Sequence, residues 1–231
     1  MSGNNWNGWG VSEIGPLHIK ENIPNQDSCV VKKFSWGIVG VVCDGLGSKK
    51  YSHIGSKSLV EAIIKTAQLF DFKKDIGLFE PLRKSLWDIN ISPYSQDETA
   101  TTLQFCIVKN KKIYIGRVGD GAIVILGKET LHLEEDKQVF TNYTIPFGRN
   151  EKIKWHIFDD SEIDSIVLCS DGISEDLKKD KLLEFFQNYI ENYKGMQTNK
   201  RVYEIKKWLK NWPVKGHSDD KTIVALVKDI S

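Results

Sequence analysis

The sequence predicts an α+β fold: a four-layer α-β-β-α sandwich in which two antiparallel sheets pack face to face and a helix pair covers each outside. Three observations carry this. Short β-type runs recur along the 231 residues, apolar residues fall at helical spacing in two separate regions, and in both regions the helices come in pairs. Helices that arrive in pairs, not singly between strands, argue against a parallel doubly wound sheet. A chain of this length suits one compact domain spanning residues 1–231.

Taken in order, residues 6–14, 27–33 and 36–43 are rich in Trp, Val, Ile and Cys and read as strands. From Ser52 to Phe70, Leu59, Ile63, Ala67 and Phe70 mark one amphipathic helix, and from Asp75 to Asn90, Phe79, Leu82, Leu86 and Ile89 mark the next. Strands return between Thr99 and Glu134, where "TTLQFCIVKNKKIYIGRVGDGAIVIL" reads as a meander turned at Asn110–Lys111 and again at Gly119–Gly121. A further pair of strands is expected near 152–158 and 164–170. Leu182, Phe186 and Tyr189, then Val202, Ile205, Leu209 and Trp212, predict the second helix pair, and "KTIVALV" a closing strand. The stretch 138–150, with Pro146 and Gly148, is the expected mobile loop beside a site.

Bulk composition narrows the function. Lys and Arg total 32 against 31 Asp and Glu, a net charge of +1, which offers no field for nucleic acid or an anionic membrane surface. Cys29, Cys43, Cys106 and Cys169 stand in apolar runs without metal-type spacing and read as buried free thiols of a reducing compartment. No leader-like or membrane-length apolar segment is evident, so the expected location is the cytoplasm. Trp6, Trp9 and Trp212 are either interface aromatics or, as is commoner, partly buried in their own domain.

The carboxylates make the sharper case. In "VVCDGLGSKK" (41–50) and "IVLCSDGI" (166–173) an apolar run stops at an Asp-Gly pair. A hairpin turning at Ser35–Trp36 sets Asp27 directly opposite Asp44, an arrangement of like charges that strands usually avoid. The same arithmetic sets Asp120 opposite Thr101. With Asp44 and Asp171 after strand ends and Asp219 and Asp220 just before one, these groups collect at one rim of the sandwich. Their repulsion calls for hard divalent cations, and oxygen donors without Cys or His favour Mg²⁺ or Mn²⁺ over zinc. The glycines following Asp44 and Asp171 let the backbone turn tightly.

"NQDS" (25–28), "VVCDGLGS" (41–48), "ETATTLQF" (98–105), "GRVGDGAIVIL" (116–126), "LCSDGISEDL" (168–177) and "SDDKTIVALV" (218–227) resemble, in order and spacing, the metal-dependent type 2C protein phosphatases, over residues 8–228. The resemblance implies the α-β-β-α sandwich and hydrolysis of phosphoserine and phosphothreonine on proteins at a binuclear Mg²⁺ or Mn²⁺ centre. By motif, Asp44 would bridge two ions and the Gly45 carbonyl would bind one. Asp171 and Asp219 would complete the shell of the second ion, with Asp27 in the cluster. Asp120 would share a weaker third ion with Asp171, and Glu175 stands where a further Asp often helps. Expected partners are a phosphoprotein substrate and a cognate Ser/Thr kinase, with no nucleic acid and no membrane, for a monomeric protein.

The chain also departs from the family pattern. Gln26 replaces the common Glu before Asp27, and Leu46 replaces a His that eukaryotic members carry as general acid. The phosphate-binding Arg has no counterpart: Asn22 stands near its register, and His18 is the expected substitute, against the plainer alternative of a histidine hydrogen-bonded at a strand end. Two further readings share these residues: a silent phosphatase-like module that binds a phosphoprotein or kinase, and a hydrolase of a small phosphate compound.

Overall fold

A computed structural model describes residues 5–133 and 152–229; the expected loop at 138–150 lies outside the described residues. Strand β1 (Trp6–Glu13) leads into a short helix α1 (Pro16–Glu21) and a hairpin of β2 (Asp27–Phe34) and β3 (Gly37–Asp44). Helices α2 (Ser52–Leu69) and α3 (Phe79–Ile91) follow, then β4 (Leu103–Lys109), β5 (Lys112–Val118), β6 (Ala122–Gly127) and β7 (Leu131–Leu133). The remaining described elements are β8 (Lys154–Asp159), β9 (Ile163–Cys169), the single turn α4 (Asp171–Ser174), α5 (Leu182–Lys194), α6 (Thr198–Lys210) and β10 (Lys221–Lys228).

Among the described residues these strands form two antiparallel sheets, in the orders β1-β10-β9-β6-β7 and β2-β3-β4-β5-β8. Between them lies a layer of Trp6, Ile38, Val42, Ile115, Ile125, Leu168 and Leu226. On one outside, Val39, Val41 and Cys43 pack against Leu59, Ile63, Phe79 and Trp87 of α2 and α3. On the other, Val124, Val167 and Ala225 pack against Phe186, Tyr189, Ile205 and Leu209 of α5 and α6. This is the expected α+β sandwich. It also explains why β3 reads as an unbroken apolar run: Ile38 and Val42 face the sister sheet while Val39, Val41 and Cys43 face helices, so neither face is polar.

Two connections differ from the sequence expectation. The β4–β5 hairpin turns at Asn110 (φ 54°) and Lys111 (φ 61°), as a two-residue turn with both φ positive requires. The stretch 119–121 is not a second hairpin turn. Gly119 (φ 86°) and Gly121 (φ 83°) instead carry the chain across to the other sheet, where β6 pairs with β9 and β7. Strands β8 and β9 are likewise split, β8 pairing with β5 and β9 with β10 and β6. A period-two pattern identifies a strand but not its sheet. Trp6, Trp9 and Trp212 are all buried, Trp9 Nε1 donating to the Tyr189 hydroxyl at 2.9 Å, so they belong to the protein's own core. The four cysteines are free thiols, three of them buried. No helix among the described residues is long and apolar enough to cross a membrane.

Candidate active site

The expected confrontation is present. Asp27 pairs directly with Asp44 across the β2–β3 ladder, and β10 runs antiparallel to β9 and β1, which brings Asp219 to the rim where β9 ends. Asp44, Gly45, Asp120, Asp171 and Asp219 line one cleft of about 300 Å³, together with His18, Gln26 and Leu46. Among the described residues no Lys or Arg lines it. Two expected members stand outside. Asp27 is buried behind Asp44, its Oδ2 accepting from Ser170 Oγ at 2.8 Å, and Glu175 is exposed beyond the far end of α4, its N–H donating to the Asp171 carbonyl at 2.8 Å.

Asp44 and Asp120 are held through their backbones. The Asp44 N–H donates to Thr102 Oγ1 at 3.1 Å, and the Asp44 carbonyl accepts from Thr102 N–H at 2.7 Å and Thr101 Oγ1 at 2.8 Å. Asp120 sits at the crossing between sheets, its carbonyl accepting from Gln104 Nε2 at 2.7 Å. The same Nε2 reaches the Cys169 carbonyl at 3.0 Å, and Arg117 Nη2 donates to the Gly119 carbonyl at 3.0 Å. Gln104 and Arg117 are buried polar side chains in otherwise apolar strands. Sequence reasoning passed over both, although a lone polar residue in a strand buried on both faces is itself a signal that something there needs a partner.

The glycines following Asp44 and Asp171 also serve close packing. A Cβ on Gly45 would lie 2.8 Å from the backbone of Ser52, and one on Gly172 would lie 2.0 Å from the Asp220 carbonyl oxygen. They permit close packing of the start of α2 and of α4 against β10. Gly172→Ala should therefore cost about 3 kcal/mol, since overpacking against backbone cannot relax by side-chain movement. Urea denaturation measures this, and a loss under about 0.5 kcal/mol would contradict the packing.

His18 lies in α1, a helix the sequence reading did not include. Six residues are too few for periodicity, yet its signals are present: Pro16 in the first turn and Asn22 (φ 58°) in the left-handed cap. Its Nδ1 is 2.9 Å from Asp220 Oδ1. Asp220, only 2% exposed, also accepts from the N–H groups of Gly15 and Gln26, each at 2.7 Å. His18, Asp219 and Asp220 bring ligand-type atoms within 4.8 Å of one another. Both Asp220 oxygens are already engaged by the chain, so Asp220 braces α1 and His18.

Electrostatics in the cleft are unbalanced. Burial pushes the Asp27 carboxyl up to about 7, with the Asp220 charge adding to it, and burial pushes Asp171 up to about 6, with Asp120, Asp219 and Glu175 adding to it. Asp44 is driven well above the usual carboxylate range by burial and then by Asp27, Asp171 and Asp219. Among the described residues Asp171 Oδ1 is buried without a hydrogen-bond partner. Crowded carboxylates, an orphaned oxygen and no neutralising Lys or Arg fit hard divalent cations bound by oxygen.

An acidic cleft at the rim of a two-sheet sandwich is the arrangement of a site built for divalent cations and the anions they bind. The match to known families narrows it: the family described as Protein phosphatase 2C matches residues 14–212, and the chain belongs to that family. A Mycoplasma pneumoniae protein described as a "putative protein phosphatase" is 30% identical over 145 residues, a match covering 56% of this chain and 54% of that relative's length. The chain thus aligns with about half of that curated relative. Among solved structures, the serine/threonine phosphatase Stp1 from Staphylococcus aureus superposes with TM-score 0.68 at 16% identity, over 97% of this chain and 96% of that one. The catalytic domain of the serine/threonine protein phosphatase PstP, solved with two manganese ions, gives TM-score 0.67 at 15% identity, over 96% and 97% of the two chains. At these identities the likeness is one of fold.

Proposed function

We propose that the protein hydrolyses phosphoserine and phosphothreonine on proteins at a centre of two Mn²⁺ or Mg²⁺ ions. The observation that carries this reading is the convergence of Asp44, Asp120, Asp171 and Asp219 from both sheets on one cleft, in a chain of this family. Asp44, the Gly45 carbonyl, Asp171 and Asp219 would hold the two ions, with Asp27 behind Asp44. Asp120 and Asp171 would take a weaker third ion, with Glu175 adding charge nearby. Bound there, such ions activate water for attack and offset the phosphoryl charge.

The remaining work falls to the chain's own groups. With Nδ1 engaged by Asp220, His18 presents Nε2 as the ring nitrogen free to meet the phosphoryl group. Leu46 places an apolar side chain where a proton donor would otherwise stand, so the leaving oxygen takes its proton from water. Among the described residues no cysteine lines the cleft, which favours direct attack by water over a covalent intermediate. His18→Ala should raise KM for a phosphothreonine peptide about 10-fold while kcat changes less than about 3-fold. An unchanged KM would remove His18 from substrate binding.

The same reading makes the substrate a phosphoprotein and its counterpart a Ser/Thr kinase, with the protein acting as a cytoplasmic monomer. The test is hydrolysis of a phosphothreonine peptide with Mn²⁺, with Mg²⁺ and with EDTA. Turnover with metal and none with EDTA supports the proposal; no turnover with either ion in folded protein overturns it.

A further inference from the structure

A second cavity, of about 230 Å³, lies on the other side of α1 from the acidic cleft. Ile14, Pro16, Ile19 and Leu209 give it an apolar lining, and Asp219 belongs to both cavities. Its buried cation is already engaged: Lys221 Nζ donates to the Asp219 carbonyl at 3.1 Å and lies 3.2 Å from His217 Nδ1. The other lysine of the lining, Lys210, is an exposed residue, so the interior offers room for an apolar group. Helix α1 is the wall between the two spaces, with Leu17 and His18 lining the cleft and Pro16 and Ile19 lining the second cavity. On α1 Leu17 is 41% and Ile19 60% exposed, one on the side of each space.

We propose that this cavity is a specificity pocket for an apolar side chain of the substrate, seated while the phosphorylated residue occupies the acidic cleft. This inference rests on the phosphatase reading. A peptide crossing α1 covers Leu17 and Ile19 and joins two cavities that already share Asp219. A helix with its side chains is about 10 Å across, which an extended chain spans in about three residues at roughly 3.3 Å each. The apolar residue therefore stands about three positions from the phosphothreonine.

The test uses the full chain with Mn²⁺ and phosphothreonine peptides carrying Leu or Ala at each flanking position in turn. Leu should be favoured over Ala by about 10-fold or more in kcat/KM at a position about three residues away, in line with what an apolar pocket discriminates. Ile19→Asp, a change at an exposed site, should bring that ratio close to one, and Ile19→Ala should lower it in part. A ratio near one at every position, while para-nitrophenyl phosphate is still hydrolysed by the unsubstituted protein, overturns the pocket. A preference unmoved by Ile19→Asp overturns its location. Failure to hydrolyse para-nitrophenyl phosphate as well overturns the underlying phosphatase reading.

Discussion

Asp44→Asn should lower hydrolysis of a phosphothreonine peptide by about 10³-fold or more, and should raise the melting temperature of the metal-free protein at pH 8. The first effect follows from position: Asp44 faces Asp27 across the ladder and lies within electrostatic reach of Asp171 and Asp219, so every cation bound in the cleft is near it. Removing one strong electrostatic contact from a preorganised centre typically costs 10²–10³-fold, and a shared metal ligand belongs at the upper end or beyond. The second effect follows from linkage. The Asp44 carboxyl is held well above its ordinary range by burial and by its three acidic neighbours. A raised carboxyl contributes stability that is present below about pH 4 and lost as pH rises through the folded value. At pH 8, far above the ordinary carboxylate value, holding this carboxyl in its buried place is a burden, and an amide of the same shape removes it. Relief of about 2 kcal/mol corresponds to about 4–8 °C for a chain of this size. Activity retained within 10-fold would take Asp44 out of the centre, and a lower metal-free melting temperature would show that its charge is already satisfied.

The metal-free wild-type protein should lose stability as pH rises from about 4 to above 7, and Mn²⁺ should restore it only at the upper end. Asp27 at about 7 and Asp171 at about 6 set the window, since both must give up protons that burial favours keeping. Excess Mn²⁺ at about 100 times its dissociation constant adds about 2.7 kcal/mol, or roughly 5–10 °C. At pH 5 protons compete for the same oxygens and the gain should shrink to about 2 °C or less. Thermal melts at the two pH values, with Mn²⁺ and with EDTA, measure both quantities. Equal Mn²⁺ shifts at pH 5 and pH 7.5 would mean that the ion binds through other groups.

Much of this site was legible in the sequence because hairpin geometry is arithmetic. Once Ser35–Trp36 is the turn, Asp27 must face Asp44, and the ladder has that register. The β4–β5 register follows the same way, although the ladder stops at Leu103–Val118, so Asp120 is placed by a crossing between sheets instead of a pairing with Thr101. That crossing was hidden because Gly119 and Gly121 look the same in a hairpin turn and in a jump to another sheet. Helix α1 was hidden by its length. The bracing by Gln104, Arg117 and Asp220 was hidden because it joins residues far apart in sequence, Asp220 reaching Gly15 and Gln26 from the start of the closing strand.

The interleaving of the two sheets along the chain has a consequence for how this cleft can be inherited. Asp27 and Asp44 belong to the sheet of β2 and β3, whereas Asp171 and Asp219 flank β9 and β10 of the other, and neither sheet is a continuous stretch of sequence. A cut anywhere between Asp44 and Asp171 therefore divides at least one sheet and separates these carboxylates, so neither fragment keeps the cleft. Division of the chain in that interval destroys the cleft, and substitutions that keep the sandwich closed must be accepted by both sheets at once.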